Sequence, residues 1–303
     1  MRRYTLRQLD TFLEVVRTGS VSRAADKLHV TQPAVSMQLR QLEESLGVPL
    51  LEMAGRTLRL TAAGAEVEQS AAAAVARLKE LDDLVAAHRG LKTGKIDLAV
   101  VSTAKYFAPM LLVRFRAMFP DITITLQVHN REGIMKLLAR NEVDLIIMGR
   151  APESMDCSST EFATNPMSFI CAPSHPLSRR RGASMSVLEG QQFVVREPGS
   201  GTRSAMQQLL AEHRITPDIV MEMPSNETIK QAVMAGMGMA FLSLRTVRQE
   251  LAAGHLALVD IVGLPVIRHW YVTHLRAKRL SPAADALKQF LIEEGGPLIN
   301  AWA

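Results

Sequence analysis

The sequence predicts a multi-domain α/β chain: a small helical region at the N-terminus, one long helix, and a two-lobed α/β region. Three observations predict it. Residues 1–60 carry apolar positions at helical spacing, punctuated by capping residues and glycines. Residues 61–88 carry a proline-free heptad. From residue 96 onward, short apolar runs alternate with helical stretches. A chain of 303 residues exceeds one ordinary core, and 48% hydrophobic content is enough to pack several.

In the first region Leu6, Leu9, Phe12, Leu13 and Val16 recur at helical spacing, with Thr5 as the cap and Gly19 as the stop. Ser20 or Ser22 caps a second helix, whose inner face holds Ala24, Ala25 and Leu28. After His29-Val30, Thr31 caps a third helix with Pro33 in its first turn, where a missing N–H costs nothing. Val35, Leu39, Leu42 and Leu46 form its buried stripe, and Gly47 stops it. Residues 50–60 read as a tight hairpin.

The long helix has Val67, Ala71, Ala74, Leu78, Leu81 and Val85 in steps of four and three, a seam that pairs with another helix. At about 1.5 Å per residue it is a rod of about 40 Å. A second copy of the chain is the expected partner; the plainer alternative is that the helix lies on its own domain. Residues 90–94, rich in glycine, read as a hinge.

Beyond the hinge, residues 96–101, 122–128 and 143–148 read as strands and 109–119 and 133–141 as helices, a βαβαβ pattern that implies a mostly parallel sheet. A similar set follows, with strands at 192–196, 220–223 and 239–242 and helices at 202–213 and 226–235. Two such halves face each other across a cleft of the kind seen in periplasmic binding proteins, and ligands favour the carboxyl ends of parallel strands.

Several function classes are disfavoured. No apolar run reaches membrane-spanning length, and no apolar segment follows the basic residues at the start, so the expected location is cytoplasmic, with no membrane partner. Cys157 and Cys171 form no metal or disulfide pattern. The eight histidines are scattered without HExxH or HxH, and no GxSxG is present, so neither an enzyme nor a metal site is expected. The net charge of +5 is compatible with nucleic acid without being diagnostic.

Residues 20–40 have the layout of a helix-turn-helix, in which small Ala24 and Ala25 let two helices cross closely and the second presents its first residues to a major groove. The candidate DNA contacts are Thr31, Gln32, Ser36, Gln38 and Arg40 on the face not buried, with Arg56 and Arg59 from the hairpin. Read plainly, the same residues are solvated positions of a three-helix packing motif.

Leu9–Phe12, Ser20–Ala25, the run Thr31-Gln32-Pro33-Ala34-Val35-Ser36, Leu46-Gly47 and Arg56 through Gly64 together resemble the winged helix-turn-helix of LysR-type transcriptional regulators. The resemblance extends over essentially the whole chain. It implies a winged DNA-binding domain at 1–60, a dimerising linker helix at 61–90, and an effector-binding domain at 91–303. The lobes of that domain are expected at about 95–163 with 268–303, and at about 164–267. It also implies that Gln32 and Pro33 contact bases and that Arg56 lies in the wing. Many members carry Arg where this chain has Met37.

Five polar loops lie at expected strand ends. They supply Ser102, Thr103 and Lys105; Asn130 and Arg131; Arg150; Ser200, Thr202 and Arg203; and Asn226 as candidate effector contacts suited to an anion. Taken singly, Ser102, Thr103, Thr202 and Asn226 read as helix caps, and Lys105 and Arg150 as solvated charges. The strings Ser102–Pro109, Asn130-Arg131-Glu132, Met148-Gly149-Arg150, Arg196–Arg203, Ser225–Gly238 and Lys278–Pro282 resemble the branch that controls carbon-fixation (RuBisCO, Calvin-cycle) operons; His129 departs from the glycine expected there. That resemblance implies a small-molecule effector, a phosphorylated metabolite or NADPH, and no resident cofactor. It further implies promoter DNA with inverted-repeat half-sites, a homodimer through the linker helix, a homotetramer, activation of transcription, and RNA polymerase as a partner. A LysR-type regulator of another pathway and a two-lobed solute-binding protein are the rival readings.

Overall fold

The structure, a computed structural model, describes residues 4–54, 57–88 and 94–301, with backbone alone at 54, 76 and 79–88. Two compact units divide the chain, residues 1–88 and residues 89–303 without 140–142.

The first unit is a three-helix cluster with a hairpin and a long helix. Helix α1 (Leu6–Thr18) starts in a reciprocal cap between Thr5 and Gln8 and stops at left-handed Gly19; α2 (Val21–Leu28) is capped by Ser20, not Ser22. Helix α3 (Gln32–Leu46) is capped by Thr31, with Pro33 in its first turn and left-handed Gly47 at its end. Phe12, Val15, Ala24, Val35, Leu42 and Leu50 form the core. Strands β1 (Leu51–Ala54) and β2 (Thr57–Leu60) pair antiparallel, Leu51 opposite Leu60 and Ala54 opposite Thr57. The wing is anchored twice. Glu43 Oε1 accepts from the N–H of Leu50 (2.7 Å) and Leu51 (3.2 Å), and the Thr61 hydroxyl donates to Pro49 O at 2.7 Å.

Helix α4 (Ala62–His88) is one continuous 27-residue helix. Its seam is divided. Ala71 is buried, and Val67 and Val75 pack beside it, in the core of the unit itself. Leu78 is exposed and, with Tyr4, Leu6, Leu46, Ala74 and Arg77, lines an apolar groove of about 460 Å³. The side chains of Leu81 and Val85, and hinge residues 90–93, lie outside the described residues.

In the second unit, β3 (Gly94–Val101), α5 (Ala108–Met118), β4 (Ile122–His129), α6 (Arg131–Ala139) and β5 (Leu145–Met148) form the parallel order β4-β3-β5. Strand β6 (Cys157–Cys171) leads to β7 (Gln192–Arg196), α7 (Gly201–Glu212), β8 (Asp218–Met223), α8 (Asn226–Met234) and β9 (Ala240–Ser243). Then come α9 (Arg248–Ala252), β10 (Ala257–Leu258), β11 (Val266–Leu275), α10 (Pro282–Phe290) and α11 (Gly296–Ala301).

The second βαβ set differs from the sequence expectation in one respect. Strands β7 and β8 are parallel, but β9 pairs antiparallel with β6 and meets β7 only through a bridge at Phe193 and Met239. Strands β6 and β11, absent from the sequence reading, pair antiparallel over ten positions from Val266–Met167 to Leu275–Cys157; they form a ribbon shared by both lobes within a seven-stranded sheet, in which β11 also pairs with β5, and β6 with β9 and β10. One end of the ribbon (Phe162, Ala163, Trp270, Val272) enters the core around Leu98, Phe115 and Leu287; the other (Met167, Phe169) enters the core around Phe193, Met206 and Phe241.

Candidate functional site

Helix α3 places Thr31, Gln32, Pro33, Ser36 and Arg40 on an exposed face. Burial of Val35, Leu39 and Leu42 on the opposite stripe fixes that orientation. Met37 sits on the exposed face at 56% exposure. Gln38 corrects the sequence reading: it is half-buried, and its Oε1 accepts from the hydroxyl of buried Thr11 at 2.5 Å. It lies beside Leu39, so its amide is drawn inward against α1. Gln41 does the same one turn on, accepting from Gln8 Nε2 at 3.1 Å. These two glutamines position α3. Arg59 is exposed on β2 opposite Glu52, and Arg56 lies outside the described residues.

The second site is a cavity of about 60 Å³ at the carboxyl ends of β3, β5 and β7. Ser102 and Thr103 line it after β3, Arg131 after β4, and Ser200 and Thr202 at the start of α7. The ribbon supplies the rest: Asn165 and Met167 from β6, and Arg268 and Trp270 from β11. Of the loop residues picked from sequence, five line the cavity and five do not. Lys105 lies 5.2 Å from the Tyr106 ring centroid. Asn130 caps α6, accepting from Gly133 N, and donates to Glu197. Arg150 is exposed on a neighbouring groove. Arg203 pairs with Glu222 and donates to Arg196 O. Asn226 lies behind the cavity wall, bonded to Arg196.

Arg196, the last residue of β7, is the centre the sequence reading missed. The sequence pattern places it at the end of a strand, and a charge at a strand's carboxyl end is the signal that points to it. It is 2% exposed. Its guanidinium donates twice to Glu197 (2.8 and 3.0 Å), once to Asn226 Oδ1 (2.6 Å) and once across to Ser102 Oγ (3.0 Å). A buried charge is tolerated only when paired and bonded in this way. The Asn226 Nδ2 group is buried with no partner among the described residues, as is Trp270 Nε1.

The plain capping reading fails for Thr103, which occupies an N-cap position without a side-chain capping hydrogen bond. Ser200, at the N-cap of α7, makes none either. With Thr202 they leave hydroxyls at the mouth of α7, where the first N–H groups and the helix dipole favour an anion. Burial and the neighbouring Arg268 charge hold the Arg131 guanidinium below its ordinary pKa, so this wall already carries surplus positive charge.

The lobes touch beyond the cavity as well. Tyr106 donates to Glu227, Asn130 Nδ2 to Glu197 at 3.2 Å, and Glu132 N to Gly199 O at 3.2 Å. Lys230 is buried between Glu227 (2.9 Å) and Glu250 (2.7 Å), 5.2 Å from the Tyr106 ring centroid. Burial and the bonded Glu227 push the Tyr106 phenol upward. Among the described residues no helix is long and apolar enough to cross a membrane.

Residues 6–65 match the model of the bacterial regulatory helix-turn-helix of the lysR family, and residues 89–296 match that of the LysR substrate binding domain. The chain is 42% identical over 293 residues to the HTH-type transcriptional regulator CfxR of Cupriavidus necator, covering 97% of this chain and 92% of the relative. It is 41% identical over 290 residues to the RuBisCO operon transcriptional regulator of Allochromatium vinosum, covering 96% of each. The second unit resembles the Synechocystis PCC6803 CcmR regulatory domain, solved in complex with 2-PG, at a TM-score of 0.64 and 38% identity over 66% of this chain and 96% of that one.

Proposed function

The chain belongs to the LysR family of transcriptional regulators, and from that premise we propose that it controls carbon-fixation operons in response to a small phosphorylated acid. Relatives across its full length regulate RuBisCO operons, which supports the choice of target. The observation that carries the effector class is the cavity wall. Three arginines (Arg131, Arg196, Arg268) and four hydroxyls (Ser102, Thr103, Ser200, Thr202) surround about 60 Å³. A water needs about 10–15 Å³ of such space, so the cavity takes a few waters or one small polar group. It suits a phosphoryl or carboxylate group and favours a small acid over NADPH. The relative solved with 2-PG is consistent with this size.

In this reading α3 docks in a major groove through Gln32, Pro33, Ser36 and Arg40, with Thr31 and Arg59 at the backbone. The apolar groove on α4 and α1 pairs with a second copy, so that two readers meet two inverted half-sites. Further association gives a tetramer that bends promoter DNA, and lobe closure around the ligand changes that bend for RNA polymerase. The ligand drives the change only through its differential affinity for the two arrangements.

The test is binding to the promoter upstream of RuBisCO genes at fixed salt, with and without ribulose bisphosphate, phosphoenolpyruvate, phosphoglycolate and NADPH. A specific complex whose affinity or footprint responds to a small phosphorylated acid is expected. A specific complex indifferent to all four overturns the effector assignment, and absence of a specific complex overturns the operon assignment.

A further inference from the structure

We infer that the C-terminal helix α11 is a brace between the lobes: seated on the bend of the ribbon and clamped by Arg245, it keeps the lobes together. The inference concerns the fold and stands whichever effector the cleft takes.

When the lobes part, the ribbon must flex, since β6 and β11 run from one core into the other. The ribbon is not uniform. Trp270 pairs with Ala163 and Tyr271 with Glu161, so Phe162 between them has no partner on β11. A bulge of this kind bends a strand and interrupts its ladder. The end of the chain lies on that bend. After α10, Leu291–Gly295 form one π-helical turn that brings Gly295 and Gly296 against the buried Phe162. A Cβ on Gly295 would stand 2.7 Å from the Phe162 ring, and one on Gly296 2.6 Å from the Phe162 carbonyl oxygen. One turn on, Ile299 is buried in the core of the β3–β5 lobe.

Helix α11 also reaches the other lobe. The turn Leu244–Thr246 follows β9, and Leu242 and Val247 beside it are buried in the core around Val194 and Ile229. From this turn Arg245 donates to Asn300 Oδ1 at 2.6 Å and to Ile299 O at 3.3 Å. Its Nε is buried with no partner among the described residues. Burial, then the Arg248 charge, hold the guanidinium below its ordinary pKa. A desolvated guanidinium persists only where its hydrogen bonds compensate it, and these go to α11. The same turn is tied to the cavity. Ser243 Oγ donates to Asn165 Oδ1 at 2.5 Å, both side chains being buried, and accepts from Arg245 N at 3.3 Å. Asn165 lines the cavity, three residues from the bulge. The polar chain Asn165–Ser243–Arg245–Asn300 therefore runs from the cavity wall to the C-terminal helix.

The lobes carry their own reporter. Glu132 N, in the first turn of α6, donates across to Gly199 O at 3.2 Å. A first-turn amide has no partner inside its helix, so its exchange with solvent reads the separation of the lobes. Hydrogen exchange on the full chain without ligand, resolved to Glu132, tests the brace. Asn300→Ala removes one clamp acceptor at an exposed position. It is expected to speed exchange at Glu132 about five-fold, the worth of one hydrogen bond, with the amides of β3 unchanged. Arg245→Met, which removes both bonds, should speed it at least as much. Adding Asn300→Ala to Arg245→Met should change nothing more, because the two side chains act through one contact. Unchanged exchange at Glu132 in both single variants overturns the brace. A rise shared equally by β3 also overturns it, since that is general loss of stability, and so does full additivity in the double variant.

Discussion

Gly64 sits where α4 leaves the wing, and a Cβ there would stand 2.0 Å from the carbonyl oxygen of Leu50. No side chain can yield at such a contact, because the neighbour is backbone. Gly64→Ala should destabilise the first unit by about 3 kcal/mol, read as a lower urea midpoint of the first transition; an unchanged midpoint would show that the wing and α4 do not meet this closely. Met37 lies on the exposed face of α3, where a cation would meet phosphate. Met37→Arg should steepen the salt dependence of operator binding by about one unit of log–log slope, and an unchanged slope would place Met37 away from the DNA. His274 is buried beside Lys288 Nζ (3.3 Å), its Nδ1 bonded to Leu275 O at 2.9 Å, an arrangement that suits the neutral ring. Burial first, then the lysine charges, hold its pKa below the ordinary value. The unfolded chain therefore binds this proton at a higher pH than the folded one. Stability is intact above about pH 6.5 and falls as pH drops through the unfolded and then the folded pKa. Urea midpoints at about pH 7.5 and about pH 5.5 should differ less for His274→Gln than for the wild type; equal differences would rule His274 out as a source of acid sensitivity.

The elements of the first unit were legible because their signals are local. Thr5 and Gly19, Thr31 with Pro33, and Gly47 each mark a helix end through a cap or turn that neighbouring residues complete. Gln38 was misplaced because its neighbour Thr11 comes from another helix, and no spacing on α3 announces it. The ribbon of β6 and β11 escaped for a similar reason. Residues 157–168 mix Ser, Thr, Glu and Asn with Phe and Met, since this strand leaves one lobe's core and enters the other's. Asn165, Arg268 and Trp270 gain their place in the cavity only through that pairing. At the scale of α3 the prediction concerns its exposed first turn. Gln32→Ala should lower specific operator affinity by about 1–3 kcal/mol with an unchanged melting temperature, because the side chain supports no buried contact. Gel-shift titration against specific and scrambled DNA checks it, and equal loss on both sequences would make Gln32 a backbone contact instead.

At the scale of the whole molecule, a lysR-family helix-turn-helix with its long helix α4 precedes a LysR substrate binding domain, in a chain whose full-length relatives are transcription regulators. The rival solute-binding reading does not explain the helix-turn-helix match at residues 6–65. The central claim is that an anion in the cleft, and not elsewhere, changes how the regulator holds its operator. Thr103 allows the cleanest test: it is 7% exposed, lines the cavity, and makes no hydrogen bond within the protein among the described residues. The shape-matched Thr103→Val removes the hydroxyl proposed to meet the ligand without breaking a structural contact. The measurement is operator affinity of the full chain across a titration of phosphoglycolate at fixed salt. For Thr103→Val the account predicts unchanged affinity without ligand and a ligand response displaced to about ten-fold higher concentration. A response identical to that of the wild type would contradict it.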